Sequence, residues 1–200
     1  MAKHTVKDYT AELREVFDYQ SYANLMHGLG KQCNEHKLRF DKSDFVEKSL
    51  EEMSDGRLQW VDEEGYDNID TKYGYKLEVK FMEDSLFTKK RVTLKEYTGS
   101  YRIKNTYMVT DANTSVAHPA DYYLFFQQNA MAILPGTKIN YYSEGDGDGI
   151  TAQMPATSLS YVFTPSDVKI KNTFSINYKK EKDEMQRNII RSFYKGVSKS

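Results

Sequence analysis

The chain holds a single cysteine, Cys33, among its 200 residues. That excludes an intrachain disulfide and a zinc site built from cysteine, and it fits a reducing, intracellular compartment. An excess of one charge is also missing. With 28 Lys and Arg against 29 Asp and Glu, the net charge is −1, so no global field draws the chain onto nucleic acid, and a polyanion must be held by a local patch. No run approaches the ~18–20 consecutive apolar residues of a membrane span. The opening Met1-Ala2-Lys3-His4-Thr5 leads into charged residues rather than an apolar leader, so neither secretion nor a membrane partner is expected. The four histidines, His4, His27, His36 and His118, lack H-x-x-x-H spacing, which speaks against a zinc hydrolase. No internal repeat, low-complexity tract or interdomain linker is apparent.

What is present is aromatic and patterned. The 16 Tyr, 10 Phe and 1 Trp make up 14% of the chain, too many for a disordered polymer, and the length suits one domain over residues 1–200. Apolar positions at helical spacing (Tyr9, Leu13, Val16, Phe17, Ala23 and Leu25) predict a helix from Asp8 to Met26, stopped by Gly28 and Gly30. Ser43 and Asp44 offer caps for a second helix that carries Val46, Leu50 and Met53 and stops at Asp55-Gly56. Its Glu47 and Glu51, one turn apart, read as a solvated face.

The period then changes to two, which predicts strands over 57–61, 67–70 and 75–81. Residues 94–114 fit a strand ladder or a long loop equally well. The segment Tyr122 to Leu134 reads as a strand buried on both faces and its continuation. Further strands are expected at 138–142, 161–163 and 173–178, and a closing helix over 180–197. The acidic turn from Glu144 to Gly149 is no EF-hand, because Pro155 stands where that loop needs its bidentate glutamate.

The chemistry concentrates in Glu64-Gly-Tyr-Asp67-Asn-Ile-Asp70 and Tyr75-Lys-Leu-Glu78-Val-Lys80-Phe81. In an extended strand Tyr75, Leu77, Val79 and Phe81 share one face, and Lys76, Glu78 and Lys80 share the other. A hairpin returns Asp67 beside Glu78. Two carboxylates then suit Mg²⁺, which takes one or two protein carboxylates and completes its shell with water and phosphate oxygens. A lysine beside them can orient the attacking water or stabilise charge on the transition state. Asp70, three residues along the strand from Asp67, points to the opposite face unless the strand is bulged.

Asp67 followed by Glu78-Val79-Lys80 resembles the bipartite motif of the PD-(D/E)XK nuclease superfamily, and the Asp-x-x-Asp spacing and nearby E-x-K are most similar to its type II restriction endonucleases. The likeness spans about 18 residues, and Tyr66 stands where the proline of the family's name would be. It implies an α/β fold with a restriction-endonuclease-like mixed central sheet flanked by helices, and Mg²⁺-dependent cleavage of double-stranded DNA at a short specific site. Asp67, Glu78 and Lys80 are the expected catalytic residues, with Asp67 and Glu78 as metal ligands and Glu47 and Asp70 as accessory candidates.

Between Thr71 and Lys104, nine Lys or Arg against four acids make a basic patch fit for phosphates. Arg102, Lys104, Asn105, Asn113 and His118 are the expected DNA contacts, with Thr114 and residues 158–160 as weaker ones. Cutting both strands with so short a chain calls for a homodimer, its interface expected at Tyr9, Leu13 and Phe17 or at Phe193 and Tyr194. Two alternatives remain at this level: a structure-specific repair, recombination or phage nuclease of the same fold, and a non-enzymatic domain in which the same residues form an ion network.

Overall fold

The computed structural model describes residues 4–36, 42–63, 65–82, 91–97, 116–117, 120–143, 149–171 and 190–191. Helix α1 (Val6–Val16) starts where the Thr5 side chain accepts the Asp8 N–H, and it buries Tyr9 and Leu13. It ends at Phe17, whose backbone is extended. Asp18 then opens α2 (Tyr19–His36): its carboxylate accepts the Ser21 N–H at 3.0 Å and the Ser21 hydroxyl at 2.8 Å. The single helix expected over 8–26 is therefore two.

The expected stop at Gly28 and Gly30 does not occur. A helical glycine costs only about 1 kcal/mol against alanine, and the buried stripe Tyr22, Leu25, Met26, Leu29 and Cys33 offsets that cost. Helix α3 (Lys42–Glu52) unwinds where Asp55 (φ 52°) and Gly56 (φ 80°) turn left-handed, with Gly56 N–H on the Glu51 carbonyl at 2.8 Å.

Strands β1 (Leu58–Glu63), β2 (Tyr66–Asp70), β3 (Tyr75–Phe81), β4 (Arg91–Tyr97), β5 (Val116–Ala117), β6 (Tyr122–Gln127), β7 (Ala130–Pro135), β8 (Asn140–Ser143), β9 (Gly149–Pro155) and β10 (Ser160–Phe163) follow. The first sheet has the order β1-β2-β3-β6-β7-β10, with β3 and β6 parallel and every other pair antiparallel, so the fold is α/β with a mixed central sheet, as expected. Leu77, Val79, Tyr122, Leu124 and Phe126 face a core shared with Tyr9, Leu13, Phe17, Phe45 and Leu50 of the helical segments. The opposite face carries a second cluster of Tyr123, Phe125, Ala132, Leu134, Ile139 and Leu159. Both faces of β6 are therefore buried. Its expected continuation instead folds back at Gln128-Asn129 as antiparallel β7, Gln127 pairing with Ala130.

The second sheet has the order β4-β9-β8-β5. Strands β7 and β8 are joined by a single 3-10 turn at Gly136–Lys138, and β9 and β10 by another at Ala156–Ser158. Ser160 opposite Ile133 and Tyr142 opposite Thr151 belong to one register, so residues 130–143 and 149–163 form one long hairpin passing from the first sheet to the second. Here the chain does repeat itself, contrary to expectation: Ala132, Pro135, Thr137 and Tyr141 recur as Ala152, Pro155, Thr157 and Tyr161. Ile139 and Leu159, at matching positions, both plug the second cluster.

Tyr9 and Leu13 are fully buried and Phe17 nearly so in the chain's own core. They cannot supply a dimer interface. Of the expected C-terminal elements, Ile190 and Arg191 are helical, with Ile190 buried in the main core. The strand at 173–178 and the positions Phe193 and Tyr194 lie outside the described residues.

Candidate active site

Strands β2 and β3 pair Asp70 with Tyr75, Ile69 with Lys76 and Asn68 with Leu77. The ladder stops one residue short of Asp67 and Glu78, which its continued register would set across from each other. Val79 N–H, which the continued register would direct at Tyr66, donates instead to the Asp67 carboxylate at 2.7 Å. Asp67 is thus tied to β3 through its side chain, just beyond the last paired residues of the β2–β3 ladder.

Alternation along β3 holds as expected: Tyr75, Leu77 and Val79 are buried and Lys76 is exposed. Glu78 and Lys80 pair in register with Tyr123 and Phe125 of β6, which places them on the face of the second cluster. That packing explains why Glu78 is only 6% exposed although it is charged. A buried carboxylate requires a partner. Lys80 Nζ supplies one at 2.5 Å from Glu78 Oε1, with the lysine side chain 28% exposed.

Glu47 approaches from α3. Asn68, fully buried, donates through Nδ2 to the Glu47 and Leu58 carbonyls, both at 3.0 Å, and so pins α3 to β1 and β2. The Glu47 carboxylate accepts the Trp60 indole N–H at 3.3 Å, and Glu51 accepts the Trp60 backbone N–H at 3.0 Å. These two acids are therefore not a solvated face, since both are engaged with β1. Burial pushes the Glu47 carboxyl up to about 7; the charges of Asp44 and Glu78 add to the rise, and the Trp60 bond and the charge of Lys80 oppose it. Glu47 thus senses both Glu78 and Lys80. Trp60 and Asn68 position it, and sequence reasoning missed both. The signal available was a polar Asn at a core-facing strand position.

Asp70 lies elsewhere. Its carboxylate takes Arg57 Nε at 3.1 Å and Nη2 at 2.9 Å, the Tyr9 hydroxyl at 3.0 Å and the Lys72 N–H at 3.0 Å. Burial, with the Asp70 charge beside it, holds the Tyr9 hydroxyl well above its usual range. The accessory role expected of Asp70 gives way to a structural corner joining α1, β1 and β2, because three residues along an unbulged stretch reverse the face.

Arg102, Lys104, Asn105, Asn113, Thr114 and His118 lie outside the described residues. In the weaker stretch Ser158 is exposed, whereas Leu159 is buried in the second cluster.

Among the described residues no set of three or more His, Cys, Asp and Glu is arranged for a metal. Asp67 and Glu78 offer the hard carboxylate oxygens that a cation such as Mg²⁺ takes, on strands paired in one hairpin. No helix among the described residues is long and apolar enough to cross a membrane. No family model matches the sequence, and no curated protein or solved structure matches it.

Proposed function

We propose that the chain is a Mg²⁺-dependent endonuclease of the type II restriction class, acting inside the cell on double-stranded DNA as a homodimer. The observation that carries this reading is the Glu78–Lys80 ion pair on β3, with Asp67 of β2 bound to the intervening Val79 N–H, in the order of the motif they resemble. Asp67 and Glu78 are the residues that would hold Mg²⁺, which supplies a more acidic water and neutralises charge on the scissile phosphate. Asp67 is fixed by the Val79 N–H, so one of its oxygens is oriented by the backbone. The Lys80 ammonium partners the buried Glu78 carboxylate, and in this reading Lys80 would orient the attacking water and stabilise charge building on phosphorus. Glu47, whose carboxyl burial holds at about 7, lies within electrostatic reach of Glu78 and Lys80.

A second reading has its own observation. The Glu78–Lys80 bridge and the Asp67–Val79 bond are also what a purely structural ion network contains. Incubation of the protein with phage DNA and Mg²⁺, resolved on a gel, separates the cases. Discrete fragments support the restriction reading, and nicking or degradation confined to branched or flapped substrates supports a structure-specific nuclease of the same fold. Intact DNA with every substrate supports the ion network.

A further inference from the structure

The β2–β3 hairpin carries Lys72, Lys76 and Lys80, and two of them are taken by acids: Lys72 pairs with Glu12 and Lys80 with Glu78. Lys76 differs. Its side chain is exposed, and among the described residues its ammonium meets no carboxylate; it lies over the Tyr66 ring, 4.8 Å from the centroid. An aromatic face attracts a cation without neutralising it, so the charge stays available to an anion. The backbone beneath it is fixed. Asp121 accepts the Lys76 N–H through its carboxylate at 3.0 Å and donates its own N–H to the Lys76 carbonyl at 2.8 Å, while Ile69 pairs with Lys76 across the hairpin.

This cation lies on the face of the candidate site. Alternation along β3 sets Lys76 with Glu78 and Lys80. Tyr66, against which the ammonium rests, packs on the second cluster with Tyr123 and Phe125, the β6 partners of Glu78 and Lys80. Tyr66 also directly precedes Asp67, and its hydroxyl forms no hydrogen bond among the described residues.

We infer that Lys76, steadied by Tyr66, binds a backbone phosphate neighbouring the scissile one and so positions the DNA strand over Asp67 and Glu78. This rests on the nuclease reading for the identity of the ligand. Lys76 stands two residues from Glu78, roughly 7 Å along the strand. A DNA strand offers a charge at every ~3.4 Å of helix axis, so one phosphate at the carboxylates leaves a neighbour within reach of the lysine. Lys80 does not serve that neighbour, because Glu78 takes its ammonium. Lysine ammoniums and tyrosine hydroxyls are among the groups that bond phosphate oxygens and fix register on the duplex. An ammonium already resting on a ring also loses less freedom on binding than one on an unrestrained stem.

The test compares wild type with Lys76→Ala, Lys76→Arg and Tyr66→Leu. Affinity for a short duplex is read by fluorescence anisotropy in Ca²⁺ over a range of salt, and cleavage is read separately in Mg²⁺. In Lys76→Ala one lost phosphate contact should lower the salt slope by about 0.9 and the affinity about eightfold near 0.1 M salt, and Lys76→Arg, which keeps the charge, should restore the slope. Tyr66→Leu removes the ring and keeps the cation, so it should leave the slope and weaken binding about two- to fivefold. Full affinity in Tyr66→Leu takes Tyr66 out of the contact. Unchanged affinity and slope in Lys76→Ala overturn the inference, as does a wild-type protein that binds no duplex. Lysine acetylation of the unmodified protein keeps the test decisive if the alanine variant fails to fold. Lys76 should be labelled less with duplex than without, while the exposed Lys7 and Lys169 are labelled equally. Equal labelling of Lys76 overturns the contact. Cleavage by wild type with binding indifferent to Lys76 removes the contact and leaves the nuclease reading. Binding that depends on Lys76 with no cleavage of any substrate removes the nuclease reading and leaves the contact.

Discussion

Replacing Asp70 by alanine should lower stability by about 4 kcal/mol, a figure built from its partners. The side chain is 0% exposed and its two oxygens accept four hydrogen bonds, two of them from Arg57. Removing one partner of a buried ion pair costs about 3–5 kcal/mol, because the other charge stays behind. Arg57 keeps a second carboxylate, Glu12 at 3.0 Å, which moves that cost to the lower end. The Tyr9 hydroxyl loses its acceptor, which adds about 1 kcal/mol. For a chain of this size, ~2–4 °C per kcal/mol gives a fall in Tm of roughly 8–16 °C. Thermal and urea melts read the change directly. A loss below ~1 kcal/mol would show that the corner contributes little. Normal stability with abolished DNA cleavage would return Asp70 to the reacting group.

Other outcomes follow from the same geometry. Because burial holds the Glu47 carboxyl near 7, above its ordinary 4.5, the folded chain keeps a proton that the unfolded chain sheds, so its contribution to stability falls as pH rises through that window. Glu47→Gln should therefore be the more stable protein near pH 8, by about 1–3 kcal/mol after allowance for partial solvation, and equal to wild type near pH 4; an equal gap at both pH values contradicts this.

At the acid end the signs reverse. Burial pushes the Glu12 carboxyl up, but hydrogen bonds from Lys72 and Tyr73 and the charge of Arg57 outweigh it and hold the group at about 2. Asp167 is also held at about 2, chiefly by Arg14 and then Thr164. Stability from both groups is present above their unfolded values of 4.5 and 3.8 and is lost as pH falls toward 2, so Glu12→Gln should flatten the acid limb of a denaturation curve. Sedimentation should return a dimer that Leu13→Ala does not split selectively, since Leu13 is buried inside one chain; dissociation without loss of fold would put α1 at the interface.

The elements that could be read from the sequence are those governed by local pattern. The period of two over Tyr75 to Phe81 predicted β3 residue for residue and placed Glu78 and Lys80 on a common face. Parity alone also argued against Asp70 beside Asp67. What escaped depends on contacts distant in the chain. Glu47 reads as solvated until Trp60, on another element, takes its carboxylate. The Phe17–Asp18 break is marked by an ordinary Asp-x-x-Ser cap inside a continuous helical stripe, so periodicity ran through it. The Gln128-Asn129 turn lacks the glycine that announces tight hairpins, and apolar residues continue on both sides. The repeated half-hairpins share four identical residues over a stretch of ten, too few to notice until one register joined them.

The most direct measurement is single-turnover cleavage of duplex DNA in Mg²⁺ by Lys80→Ala beside wild type, with duplex affinity in Ca²⁺ and Tm recorded on the same preparations. Removing Lys80 takes the ammonium from the buried Glu78, so a loss of Tm is expected as well, smaller than for Asp70→Ala because Lys80 is 28% exposed. Cleavage lost by a factor of about 100 or more, with affinity within about threefold of wild type, is the result the account predicts. Full cleavage by Lys80→Ala would contradict it.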